Sequence, residues 1–229
     1  MPPINHSIFI VFLIAAMFLS GCSKSLTIES EFPSPVMQPY NLVVGISFPQ
    51  ILANYVEVEE SPAISEWEIV LGNTNMRLFD SLFNGMFKQT VIFEQHGDAN
   101  YELRESGRFD TSKQNITSLD AIIEPILEDL QVSLPTQSGT ELYGVWLKYS
   151  LRIYLPDGDL ISNWSVTGFG QVGKNSFTAA GPVRAAAIMA MRDAATNIIL
   201  NFESQPEIKS LLLEKNSISS PTTGTTDAE

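Results

Sequence analysis

The sequence predicts an α+β fold, a mostly antiparallel sheet with two main helices packed on one face. Three observations lead there. The longest strict apolar/polar alternation runs from Leu142 to Leu155 and ends in turn chemistry at Pro156-Asp157-Gly158-Asp159. Two segments, Leu78 to Phe87 and Val183 to Phe202, repeat apolar residues at helical spacing. The order is strand, helix, a meander of strands, then helix, which argues for helices gathered on one side of an antiparallel sheet.

The elements follow in order. Leu42-Val43-Val44-Gly45-Ile46-Ser47-Phe48 is a short apolar run stopped by Pro49 and suits a buried strand. The acidic stretch holding Glu57, Glu59, Glu60, Glu66 and Glu68 is expected to be a loop with short strand pieces near Tyr55–Val58 and Trp67–Leu71. Asn73-Thr74-Asn75 offers N-cap chemistry, and Leu78, Phe79, Leu82, Phe83, Met86 and Phe87 then form one apolar helix face. Val91-Ile92-Phe93 reads as a strand, followed by a polar loop from His96 to Thr117.

From Asp120 to Leu134 the preferred reading is a strand, with Ile122, Ile126, Leu130, Val132 and Leu134 sharing one face. Pro125 would stand where it need not donate to the ladder. In the strongest strand Tyr143, Val145, Leu147, Tyr149, Leu151, Ile153 and Leu155 alternate with Gly144, Trp146, Lys148, Ser150, Arg152 and Tyr154. The return strand, Leu160 to about Val172, should place Leu160, Trp164, Val166 and Val172 together. A final helix from near Pro182 to Phe202 has Val183, Ala186, Ala187, Ala190, Met191, Ala194, Ile198 and Phe202 as its inward stripe, where alanine lets helix and sheet approach closely. Pro206-Glu207 opens a short helical segment ending at Leu211-Leu212-Leu213.

The single cysteine, Cys22, closes Leu19-Ser20-Gly21-Cys22 directly after the twelve-residue apolar run Ile8–Leu19. Such a run is shorter than the about 20 residues a bilayer span needs, but it fits the h-region of a signal peptide. The four residues resemble the lipobox of bacterial lipoproteins, which implies cleavage before Cys22 and acylation of its thiol. The expected organisation is therefore a signal peptide over 1–21, a lipidated flexible tether over 22–41, a periplasmic domain over 42–213 and a disordered tail over 214–229. The tether is rich in Ser and Pro, and the tail is poor in apolar residues.

Net charge is −13, with no charged side chain in the signal segment. A domain this acidic lacks the Lys/Arg clusters that nucleic-acid binding requires. It gains nothing from anionic membrane surfaces, so attachment rests on the lipid at Cys22. With that thiol acylated, disulfides and cysteine catalysis are excluded.

Several motifs have chemical readings. Gly168-Phe169-Gly170-Gln171-Val172-Gly173 matches GxGxxG, with Asp193 lying 20 residues on. A dinucleotide site would need a helix opening on those glycines after a parallel strand. Here the motif lies in the second arm of a hairpin, so glycines at a twisted strand end are the better reading. His96 is the mature chain's one histidine and sits in the polar loop, a poor base for a Ser-His-Asp arrangement. Glu59-Glu60 and Glu128-Asp129 could serve as acid/base pairs or hard-cation ligands, but neighbours along a strand point to opposite faces, and solvated acidic surface is expected. Asn115-Ile116-Thr117 and Asn163-Trp164-Ser165 match the N-glycosylation pattern, which has no meaning in a bacterial lipoprotein. Trp146 and Tyr154 should face away from the core, where an aromatic marks a partner surface unless a second layer covers it.

The lipobox, the Leu42–Phe48 strand, the Leu78–Phe87 helix, the hairpin Tyr149–Trp164–Gly168 and the alanine-rich helix Ala185–Ala195 together resemble the YajG-like family of Gram-negative outer-membrane lipoproteins. The insertion at Ile51–Gly72 departs from that pattern. The resemblance implies an envelope lipoprotein and brings no catalytic residues. The functional expectation is a non-enzymatic lipoprotein, lipidated at Cys22, at the periplasmic face of the outer membrane, where Ser23 after the cysteine favours sorting. It would serve as a binding or assembly accessory to an envelope protein partner, with no cofactor, metal or nucleic acid. The alternatives are an auxiliary lipoprotein of an envelope lipid or lipopolysaccharide transport system, and a periplasmic hydrolase that uses carboxylates.

Overall fold

A computed structural model describes residues 24–61, 64–93, 119–173 and 180–219. Five strands form the main sheet: β2 (Tyr40–Ser47), β5 (Phe87–Phe93), β6 (Ala121–Ser133), β7 (Leu142–Tyr154) and β8 (Leu160–Gly173), in the order β5-β2-β6-β7-β8. A smaller sheet holds β1 (Lys24–Thr27), β3 (Val56–Ser61) and β4 (Ile64–Val70), in the order β1-β4-β3. The helices are α1 (Gln50–Ala53), α2 (Gly72–Met86), α3 (Pro135–Ser138), α4 (Ala180–Phe202) and α5 (Pro206–Ser219).

The α+β class holds, but both sheets are mixed rather than antiparallel. β2 runs parallel to β5 and to β6, while β6-β7-β8 is the antiparallel meander. The reason is the crossover. α2 leaves one end of the sheet and returns the chain to the other, so β5 can pair with β2 only in the parallel sense.

Both main helices cover the same face, as the alternation in β7 requires. Tyr143, Val145, Leu147, Tyr149, Leu151 and Ile153 are all buried there. The α4 stripe Val183, Ala186, Ala187, Ala190, Met191, Ala194, Ile198 and Phe202 is buried in the same core. Leu78, Phe79, Leu82, Phe83 and Met86 of α2 complete it. Phe79 meets the Tyr149 ring edge-on at 5.1 Å between centroids, and Phe202 packs against Tyr40 and Phe87.

Five local expectations are corrected. α2 begins at Gly72 without a side-chain cap. Thr74 and Asn75 instead lie buried inside the helix, where the Thr74 hydroxyl donates to the Ile28 carbonyl and Asn75 Oδ1 accepts from the Tyr149 hydroxyl at 2.7 Å. In β6 the shared even register fails before Glu128. Ala121, Ile123 and Leu127 face the main core in the first half, and Leu130 and Leu134 in the second, because the pairing with β7 slips by one residue between Leu127 and Asp129. Leu160 is 53 % exposed rather than part of the β8 core face, since a second slip follows it at the hairpin.

The segment expected to be a tether is structured from Lys24 onward. β1 pairs with β4, and Leu26, Ile28 and Phe32 join the core. The tail expected to be disordered from 214 continues α5 to Ser219, with Ile208 and Leu212 buried beneath it. Lys215 Nζ lies 2.7 Å from Asp120 Oδ1, and Asp120 Oδ2 accepts the Val43 N–H at 2.8 Å, which ties this helix to β2. Pro125 sits in β6 two residues past Ile123, the last residue that pairs with β2.

Candidate functional site

The outer face of β6-β7-β8 carries the side chains opposite the helices. At one end Trp146 and Phe169 are 43 % and 41 % exposed, their rings 4.8 Å apart and tilted by 35°. They are directly paired across the strands, and the Trp146 ring lies over Gly144, whose missing side chain makes room for it. Among the described residues no second layer covers this aromatic pair, and the acidic Ile51–Gly72 insertion builds the smaller sheet instead.

Next along the face, Lys148 Nζ meets Glu128 Oε2 at 2.7 Å. The hydrogen bond from Lys148 holds the Glu128 carboxyl below the usual glutamate range, and the same bond raises the Lys148 ammonium. The one-residue bulge at Glu128 brings both Glu128 and Asp129 toward Lys148, so these neighbours do not point to opposite faces as regular strand residues would. Ser165 donates to Glu128 at 3.4 Å, and Ser150 donates to Asn163 at 2.8 Å.

Beyond them Arg152 Nη1 lies 3.8 Å from the buried Glu124, which also accepts from the Tyr154 hydroxyl at 3.3 Å. Tyr154 is itself buried, packed with Ile122 and Leu119. That burial raises its hydroxyl pKa. It faces outward as expected yet is not a contact aromatic. Phe169 instead is the exposed aromatic beside Trp146, and a sequence count would have missed it. Counting straight back from the hairpin turn, the Tyr154–Leu160 pair would set Trp146 against Gly168; the extra residue Ile161 sets it against Phe169.

A concavity of about 330 Å³ opens between edge strand β8 and the C-terminal half of α4. Its walls are Trp164, Ser165, Val166, Thr167, Asn197, Asn201 and Gln205, all uncharged. Asn197 Nδ2 donates to the Thr167 carbonyl at 2.9 Å, and the Phe169 N–H donates to Asp193 Oδ2 at 2.9 Å. These two helix side chains occupy backbone groups that an edge strand otherwise leaves open.

The same contacts account for the GxGxxG match. A Cβ at Gly168 would overlap the Ala190 carbonyl oxygen and lie 2.7 Å from Ala194 Cβ. One at Gly170 would overlap the Ala186 carbonyl oxygen and lie 2.6 Å from Ala190 N. The two glycines let α4 seat on β8, and α4 itself starts only at Ala180. Asp193 caps the strand within the motif rather than reaching for a ribose.

The other motif residues are scattered. Glu59-Glu60 lies on β3, Asn163 lies on the outer face of β8, and His96 and Asn115 fall outside the described residues, as does Cys22. The first described residue, Lys24, is two positions beyond Cys22 and already paired with Trp67 of β4. Among the described residues, no helix is long and apolar enough to cross a membrane, and no cluster of three metal-ligating side chains occurs.

No protein-family model matches the sequence and no curated protein is similar to it. Among solved structures, a Xanthomonas campestris protein of the DUF330 family aligns over 86% of this chain and 100% of its own, with 11% identity and a TM-score of 0.46. A hypothetical protein of Chlamydia trachomatis aligns over 72% of this chain and 96% of its own, with 8% identity and a TM-score of 0.42. A candidate lipoprotein of Caulobacter crescentus aligns over 52% and 87% respectively, with 11% identity and a TM-score of 0.32.

Proposed function

We propose that this chain is a lipid-anchored lipoprotein of the bacterial cell envelope, acylated at Cys22 and held at the periplasmic face of the outer membrane. There it acts as a non-enzymatic binding or assembly accessory. The observation that carries the reading is the lone cysteine closing Leu19-Ser20-Gly21-Cys22 after a signal-length apolar run. The resemblance to YajG-like lipoproteins supports the compartment, and Ser23 supports sorting to the outer membrane. The exposed Trp146–Phe169 pair supports a binding role, since exposed aromatics bordered by the Lys148–Glu128 ion pair have the composition of a contact surface.

Two measurements test it. Mass spectrometry of the N-terminal peptide should show an acylated Cys22, and Cys22→Ser should release the protein from the membrane fraction. Retention after that change would contradict lipid attachment. A photo-crosslinking residue placed at Phe169 in intact cells should capture one defined envelope protein, and Trp146→Ala should abolish the capture. Crosslinks to general porins and peptidoglycan alone would remove the accessory role.

A further inference from the structure

We infer that the end of the small sheet at Lys24, Trp67 and Glu59 is a membrane-facing surface, held at headgroup level against a zwitterionic bilayer. The inference rests on acylation of Cys22 and extends it from an address to an orientation. Its basis is the length of chain between the lipid and the first pair of residues in the sheet. Lys24 pairs with Trp67, and Trp67 with Glu59 on the other side. Lys24 is two positions from Cys22, with Ser23 alone between them, and a fully extended chain covers at most about 7 Å in that distance.

β4 begins at Ile64, which pairs with Ser61, three residues before Trp67. The β3-β4 hairpin therefore projects about 10 Å past Lys24, toward the side from which the chain arrives. The backbone of Cys22 thus stands no farther from Lys24 than the hairpin end does, so acyl chains that leave Cys22 through only a glyceryl linker bring this end of the sheet to headgroup level.

The small sheet is also fixed to the rest of the domain. Leu26, Ile28 and Ile69 belong to the main core, and the Ile28 N–H donates to the Val70 carbonyl at 3.0 Å. Holding the sheet end therefore orients the whole domain. The chain then runs from Ile28, at the start of α2, to Pro35, which touches Gly85 at its other end. The Asp157-Gly158 turn lies at that far end as well. Tyr154, where β7 enters that turn, is five residues along the strand from Tyr149, or about 17 Å at strand spacing, and Tyr149 bonds Asn75 near the start of α2. The hairpin sequence carries Glu57, Glu59, Glu60, Glu66 and Glu68, and these charges select a zwitterionic surface over an anionic one.

The test uses the full, acylated chain in phosphatidylcholine vesicles that carry a headgroup nitroxide. With the Cys22 thiol acylated, an introduced cysteine is the single free thiol. A fluorophore is placed either at Val58→Cys or at Asp157→Cys. Val58 is 49 % exposed and level with Ser25 through Glu68, and Asp157 is exposed on the far turn. Quenching should be several-fold stronger at Val58. Inserting about 20 Gly/Ser residues between Ser23 and Lys24, with an r.m.s. reach of about 25 Å, should bring it down to the Asp157 level.

Equal quenching at the two sites in an acylated chain that floats with the vesicles overturns the orientation alone. Quenching at Val58 that survives the insertion overturns the role of the short link. A chain that neither carries the acyl mass nor floats overturns the anchor itself, and the orientation falls with it. Replacing part of the phosphatidylcholine with phosphatidylglycerol should weaken quenching at Val58, and an increase would refute the zwitterionic preference.

Discussion

Gly168→Ala and Gly170→Ala test whether the GxGxxG match is a helix seat. At Gly168 the new methyl would stand 2.7 Å from Ala194 Cβ, and at Gly170 2.6 Å from Ala190 N, each also overlapping a helix carbonyl oxygen. Carbon atoms in good contact sit about 3.5–4.0 Å apart, so α4 has to retreat by about 1 Å. A radial gap of about 1 Å forfeits up to about half of the dispersion attraction of the contacts it opens. The contacts at stake are those of the buried stripe from Val183 to Phe202. Overpacking of this kind costs about 1–3 kcal/mol, and the stiff partners (helix backbone rather than flexible side-chain ends) put each variant near the upper end. In a domain of this size, that is a fall of about 2–4 °C in Tm per kcal/mol.

The assay is urea denaturation followed by tryptophan fluorescence, with Trp164 beside the helix as reporter. One retreat of α4 relieves both clashes, so the double variant should cost clearly less than the sum of the singles. Single variants that each stay within about 0.5 kcal/mol of wild type, the range of ordinary surface changes, would refute the seat. Strictly additive losses would refute the shared displacement.

Two further outcomes are expected. Tyr149→Phe removes the donor to Asn75 Oδ1 in a buried site where Asn75 Nδ2 has no partner among the described residues, at a cost of about 1–3 kcal/mol by denaturation at pH 7. Burial raises the Tyr149 hydroxyl pKa well above the ordinary tyrosine value. Its contribution is therefore complete below about pH 10 and lost as pH rises beyond, by about 1.4 kcal/mol per unit. The gap between wild type and variant should thus narrow in alkali, and a gap that widens would contradict the buried phenol. Ile28→Ala, in the segment whose composition reads as a tether, should cost about 2–5 kcal/mol, because Ile28 is 1 % exposed in the core. A loss within about 0.5 kcal/mol would return the segment to a free linker.

Whatever local periodicity carries is legible in the chain before it folds. The alternation of β7, the turn at Asp157-Gly158, where Gly158 adopts a φ of 99°, and the α4 stripe with its alanines are patterns of 2 and 3.6 residues. Each element imposes such a pattern on its own side chains. The outward direction of Trp146 followed from the same alternation.

Tertiary structure decided the rest, because it turns on pairings between distant residues. Four residues, Lys24 to Thr27, have no strand signal of their own and become a strand only because β4 offers an open edge. Thr74 and Asn75 carry capping chemistry, yet Ile28 and Tyr149 claim them from 46 and 74 residues away. Single extra residues at Glu128 and Ile161 exchange the faces of two strands, and no hydrophobic count reveals where such a slip falls. The exposed aromatic pair exists because of the second slip. The orientation inferred for the domain depends on the docking of β1, which is likewise a contact between segments about 40 residues apart.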